Sequence, residues 1–207
     1  RPQPPGSASV SALPWLLLVP AGYLLGTFPS AVWIARGKGV DITAVGSGNP
    51  GASNIARTLG QWWGVLVFVL DGLKGAIPAM ASRLLGNPGL GWAAVAAAVL
   101  GHMFPVTRGF RGGKGVATMG GASLAMQPLP SLLMLALWIG VRKASAKASL
   151  ASVSIMLAFP VAVAIRGVPG TELAAIIAID LLVLLRHLGN IRRLLGGSEL
   201  SASHGST

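Results

Sequence analysis

The sequence has no cysteine in 207 residues. That excludes a thiol nucleophile, an acyl-cysteine intermediate, a disulfide framework and thiolate-held metal. Charge is also scarce: 10% of residues are charged, against about 25% in a soluble domain. Acidic residues are rarest, limited to Asp41, Asp71, Glu172, Asp180 and Glu199. So few carboxylates leave little to hold a divalent cation with, and neither a metal nor an organic cofactor is expected. Apolar residues, by contrast, make up 53%, and the mean hydropathy is +0.70. A soluble core cannot absorb that much apolar surface, so the chain reads as integral to a membrane. The net charge of +11 would ordinarily suggest nucleic acid or an anionic surface. Its distribution argues instead for membrane topology, and no nucleic-acid partner is expected.

Apolar runs predict an all-α, polytopic protein with seven spans, at 13–35, 61–82, 90–107, 115–127, 129–141, 149–165 and 171–187. The fourth and fifth are short and separated by "QPLP"; five spans with one re-entrant hairpin is the alternative. Residues 1–12, "RPQPPGSASVSA", read as a disordered leader. The run beginning at Leu13 continues to Ala35, so it reads as a span and not as a cleavable signal. Residues 13–195 read as one membrane domain and 196–207 as a flexible tail. Basic residues recur in alternate loops: Arg36, Lys38, Arg57; Arg108, Arg111, Lys114; Arg142, Lys143, Lys147; Arg186, Arg192, Arg193. The opposite side has only Arg1, Arg83 and Arg166. The positive-inside rule then predicts the N-terminus outside and the C-terminus in the cytoplasm.

Four cytoplasmic loops carry more than topology requires. The first holds "GSGNPGASNIAR", residues 46–57. Gly48 and its neighbours let backbone N–H groups converge on an anion. Ser47, Asn49, Ser53 and Asn54 add neutral donors, and Arg57 adds a fork matched to phosphate. Ser53 is expected to cap a helix there. The second, "GHMFPVTRGFRGGKGVAT", sets Lys114 among Gly112, Gly113 and Gly115, ahead of a helix N-terminus. It is not a nucleotide-binding P-loop, because Gly115 and not Ser or Thr follows the lysine. His102 is either a structural hydrogen-bond partner or a site residue. The third offers Ser145 and Ser149, which could equally be helix caps. The fourth, "RHLGNIRRLLGGSE", puts His187 and Asn190 on one helical face, flanked by Arg186 and Arg193. Within the spans, Asp71 and Lys74 are three apart and should pair or face the site, with structural pairing favoured, and Asp180 should neutralise a nearby cation.

Taken together, "GSGNPGASN…R", "D…KG", "GHMFPV…F.GGKGVAT" and "RH..NI.RLL.G.E" resemble the PlsY family, from about Leu24 to Glu199. These are bacterial membrane enzymes that acylate glycerol 3-phosphate from acyl phosphate. The resemblance implies seven helices in the bacterial cytoplasmic (inner) membrane with the motifs at the cytoplasmic face. It implies catalytic roles for Lys114, His187, Asn190 and Ser149. Substrate-binding roles fall to Ser47, Gly48, Asn49, Ser53, Asn54, Arg57, Gly112, Gly113, Gly115 and Arg186. Relatives usually have Thr where Ser53 stands, and the hydroxyl is kept. The implied partners are glycerol 3-phosphate, acyl phosphate and membrane lipid, with the protein taken as a monomer. An organic-phosphate transporter and a noncatalytic membrane scaffold are the rival classes. A transporter would favour inverted repeats and polar groups at mid-membrane, and neither is evident.

Overall fold

The computed structural model describes residues 13–86 and 88–201. The expected leader, 1–12, and the last part of the expected tail, 202–207, lie outside the described residues. Among the described residues the chain is all-helical, with no strand. The helices are α1 (Leu13–Gly26), α2 (Ser30–Arg36), α3 (Ala52–Leu59), α4 (Gln61–Leu84) and α5 (Pro88–Met103). They continue with α6 (Val116–Met126), α7 (Pro128–Ser145), α8 (Ala148–Ile165), α9 (Gly170–Leu185) and α10 (Leu188–Leu195).

Local chemistry explains the breaks. Pro29 has no N–H and disfavours a helical Phe28, so the first apolar run divides into α1 and α2. Gly60, at φ +105°, separates α3 from α4. At "QPLP", Pro128 opens α7 as its first helical residue, where the missing N–H is not needed.

Every segment expected to span is helical, but the lengths differ. Among the described residues, four stretches are long and apolar enough to cross a membrane: Leu17–Arg36, Gln61–Leu84, Leu90–Arg108 and Ala148–Ile165. A fifth would be α9 with α10, which meet at a 60° bend. The 11 residues of α6 reach only about 16 Å at about 1.5 Å per residue, half of a hydrocarbon core of about 30 Å.

Helix pairs approach closely where side chains vanish. A Cβ on Gly26 of α1 would stand 2.1 Å from the Ala98 carbonyl oxygen of α5. One on Gly121 of α6 would stand 2.0 Å from the Gly72 carbonyl oxygen of α4. Such small-residue seams suit membrane helices, whose association rests on van der Waals contact and not on hydrophobic exclusion. A core of Trp92, Val95, Val99, Met103, Met119, Ile155, Phe159, Ile176 and Val183 joins α5, α6, α8 and α9. Outward, Leu66, Val69, Leu73 and Ile77 on α4 and Leu157 and Val161 on α8 remain exposed, as a lipid-facing surface requires.

Asp180 departs from expectation. Its two carboxylate oxygens are buried and have no hydrogen-bond partner among the described residues, so it neutralises no cation. Its neighbours on α9, Ile176, Ile179 and Val183, turn it into the apolar core instead.

Candidate active site

The first loop is organised by Asn54, which is 2% exposed. Its amide donates to the carbonyls of Ile42 (3.2 Å) and Val45 (3.1 Å). Its oxygen accepts from the Ser47 N–H (3.0 Å) and from Arg57 Nη1 (3.1 Å). Both donors are therefore spent inside the loop. Asn54 shapes the loop and aims Arg57; it has no free donor to offer a ligand. Gly48, at φ +67°, takes the left-handed turn that follows Ser47. Ser47 is exposed, with its hydroxyl 3.4 Å from the Asn49 N–H. Ser53 is exposed too, but it does not cap: α3 begins at Ala52, and Gly51 holds the cap position. The extended backbone needed at a cap falls two residues earlier than expected because Gly51 adopts it, at φ −145° and ψ 168°.

The second loop is clamped from two sides. The Gly112 and Gly113 N–H groups donate to the carbonyls of Met103 (3.1 Å) and His102 (3.0 Å). Arg186 Nη2 donates to the carbonyls of Gly112 (3.1 Å) and Gly113 (3.3 Å), while its guanidinium lies 5.1 Å from the Phe104 ring centroid. Arg186 thus braces the loop. Gly115, at φ +86°, then reverses the chain into the first turn of α6. Lys114 sits between clamp and helix, and its ammonium donates to the side-chain oxygen of Asn190.

Asn190, buried on α10, passes the contact on: its amide donates to Glu199 Oε1 at 2.6 Å. Arg193 Nε donates to the other carboxylate oxygen at 2.8 Å. Burial tends to raise the Glu199 carboxyl. Hydrogen bonds from Asn190 and Arg193 outweigh it and hold the group below its ordinary range. Ser149 Oγ is buried with no hydrogen-bond partner among the described residues, and Ser149 does not cap α8, where Lys147 holds that position. Ser145 does act locally: its hydroxyl accepts the Lys147 N–H at 3.1 Å.

His187 occupies the bend between α9 and α10 and is 3% exposed. Its Nδ1 lies 2.8 Å from the Val183 carbonyl. A carbonyl only accepts, so Nδ1 carries the proton and Nε2 keeps its lone pair in the neutral ring. Lys114 is pushed down to about 8, first by burial, then against the pull of Glu199 by the charges of Arg193, Arg186 and Arg57.

The second and fourth loops therefore meet. Lys114 and Asn190 are joined to Glu199, and Arg186 to the glycine clamp, with His187 beside them. Arg57 reaches across to the segment after α10, where its Nε donates to the Ser201 carbonyl at 2.8 Å. Among the described residues, no hydrogen bond links Ser47, Asn49 or Ser53 to Lys114, His187 or Asn190. One participant escaped the sequence reading. Glu199, with the expected flanking Arg193, completes the Lys114–Asn190 chain, and the available signal was a lone acidic residue inside a basic stretch. Among the described residues, no three His, Cys, Asp or Glu side chains are grouped to hold a metal.

A family model described as glycerol-3-phosphate acyltransferase matches residues 16–197. A glycerol-3-phosphate acyltransferase of Aquifex aeolicus is 44% identical over 192 residues, covering 89% of this chain and 97% of the relative. One from Geobacter sulfurreducens is 41% identical, with coverages of 89% and 95%. A crystal structure of PlsY (YgiH), an integral membrane glycerol 3-phosphate acyltransferase, in its glycerol 3-phosphate form superposes with a TM-score of 0.87. It shares 43% identity and covers 91% of this chain and 95% of its own. The lysophosphatidic acid form gives 0.85 at 42% identity, with the same coverages.

Proposed function

The chain belongs to the glycerol-3-phosphate acyltransferase family, integral membrane enzymes, and on that premise we propose how it works. It transfers a fatty acyl group from acyl phosphate to the 1-hydroxyl of glycerol 3-phosphate. The products are 1-acyl-glycerol 3-phosphate and inorganic phosphate. The observation that carries this reading is the Lys114–Asn190–Glu199 chain, flanked by Arg57, Arg186, Arg193 and His187. It is a cationic, hydrogen-bonding site suited to phosphate esters, with a neutral imidazole at its edge.

Lys114, Arg57, Ser47 and the loop N–H groups, including that of Gly115 at the α6 N-terminus, bind the phosphates. Asn49 and Ser53 add donors at the loop surface. His187 and Asn190 orient the 1-hydroxyl, Glu199 holds Asn190, and the buried Ser149 hydroxyl adds a donor for the substrate. The hydroxyl oxygen attacks the acyl carbonyl carbon. The tetrahedral intermediate's oxyanion is met by Lys114 or backbone N–H groups, each donor worth about 10²–10³ in rate. The carbonyl carbon–phosphate oxygen bond then breaks and phosphate leaves with the electron pair. The hydroxyl proton goes to His187 Nε2 or to a substrate phosphate oxygen. Acyl phosphate is already activated, so positioning and charge suffice without a metal.

Residues 13–195 form one seven-helix catalytic domain, with the shorter helices completing the membrane crossings. The N-terminus faces out, and the site faces the cytoplasm at the bacterial inner membrane. The loop charges support this orientation. The acyl tail lies among apolar helix faces open to the inner leaflet.

The test is acyl transfer by purified protein, with acyl phosphate and labelled glycerol 3-phosphate and no added metal. Wild type is expected to form lysophosphatidate, and Lys114→Ala to form none. His187→Ala falls by about 10²–10⁴ if the imidazole is the base, and retains more if the substrate phosphate is. Product from acyl-CoA or acyl carrier protein but not from acyl phosphate would refute the donor. No product from any donor would return the transporter to first place.

A further inference from the structure

Four buried polar side chains take no part in the steps above. Ser30 opens α2, Asp71 and Lys74 lie on α4, and His102 is in the last turn of α5; all are at most 8% exposed. Lys74 Nζ lies 2.6 Å from Asp71 Oδ1, 3.2 Å from Ser30 Oγ and 3.5 Å from His102 Nδ1. The Ser30 hydroxyl also donates to Asp71. An ammonium only donates, so these three contacts satisfy its three protons and make Nδ1 an acceptor. The His102 proton is therefore on Nε2. Ring, tautomer and rotation are set together by the buried pair.

The Nε2 edge of that ring touches the catalytic loop. A Cβ on Gly113 would stand 2.1 Å from His102 Nε2, and one on Gly112 would stand 2.1 Å from the His102 carbonyl oxygen. The absent side chains here make room for His102, where the sequence suggested room for a ligand. Arg186 holds the carbonyls of the same two glycines, and Lys114 follows directly. A cavity of about 20 Å³, space for roughly one water, lies among Ser30, Asp71, Lys74, His102 and Gly113.

We propose that the Ser30–Asp71–Lys74–His102 network is a positioning device for Lys114: it locks the His102 ring, against which Gly113 is seated, and so sets where the ammonium stands beside Asn190. This rests on the reading of Lys114 as the phosphate ligand. Stability alone is a poor reason to keep such a network, since apolar replacements of a buried ion pair are often neutral or better. An apolar residue at 102 would fill the space without fixing the ring edge that seats the loop.

The experiment uses the full chain as Gly113→Ala, His102→Asn and the double variant. His102→Asn keeps an acceptor toward Lys74 and removes the Nε2 edge. Gly113→Ala is expected to raise KM for glycerol 3-phosphate by about tenfold or more at little change in melting temperature, since a displacement of about 1 Å can cost about 10²-fold. The double variant should be no worse than His102→Asn alone, because the added methyl then has room. Effects that multiply would overturn the proposal. Labelling of Lys114 by an amine-acylating reagent, read by peptide mass spectrometry, follows its position without turnover. It should change several-fold in Gly113→Ala and return in the double variant. That pattern in an inactive wild type would refute acyl transfer and leave this inference standing. If His102→Asn does not fold, Gly113→Ala decides alone: unchanged KM and unchanged Lys114 labelling sink the idea.

Discussion

Lys114 is the residue whose protonation should limit the proposed reaction on its alkaline side. In the free protein its ammonium is held at about 8, mainly by burial and then by Arg193, Arg186 and Arg57, while Glu199 pulls it up. Only the charged form attracts phosphate. At pH 7 a group at about 8 is roughly 90% charged; at pH 9 it is roughly 10% charged. The KM for glycerol 3-phosphate should thus stay flat from pH 7 to about 8 and then rise about tenfold per unit. Substrate phosphate completes its own ionisation near pH 6, below this window, and does not obscure the break. Glu199→Gln removes the one raising charge, so the break should move to lower pH and KM at pH 8 should increase. The assay is initial-rate kinetics at saturating acyl phosphate from pH 7 to 9.5. A flat KM across that range would refute the reasoning, as would a Glu199→Gln break displaced upward.

The remaining expectations concern framework residues. Gly75 lies where α4 crosses α6, and a Cβ there would stand 1.9 Å from the Thr118 carbonyl oxygen. Gly75→Ala should force the helices apart at a cost of about 1–3 kcal/mol, seen as a lower melting temperature in detergent; an unchanged transition would refute that packing. Asn54→Ala removes the partners of two backbone carbonyls, the Ser47 N–H and Arg57 at once. It should cost about 1–3 kcal/mol and raise KM for glycerol 3-phosphate. An Asn54→Ala protein with wild-type KM would show that the first loop does not depend on that staple.

Much of the helical framework was legible because the signal is local. Apolar runs and the prolines of "QPLP" act within a few residues and each expected segment is largely helical, whereas the division of the first run at Pro29 was not anticipated. Membrane character followed from composition, and the Asp71–Lys74 pair from a spacing of three on one helix. Span counting was less secure because α6 is short and α9 meets α10 at a bend. The ends of helices also moved, with Gly51 and Lys147 taking cap positions expected of serines.

What the chain determined by itself is the inventory: apolar helices, basic loops, and glycines next to Lys114. What tertiary structure alone decided is who meets whom. Lys114 and Asn190 are brought together by helix packing, and nothing within either loop names the other. Glu199 and Arg193 join them only because the chain turns back after α10. Asn54 is a loop staple, His102 a seat for Gly113, and Asp180 a carboxyl without a cation for the same reason. A side chain's partners across the bundle depend on where whole helices pack, and a pattern of period 3.6 records which face is buried but not against what.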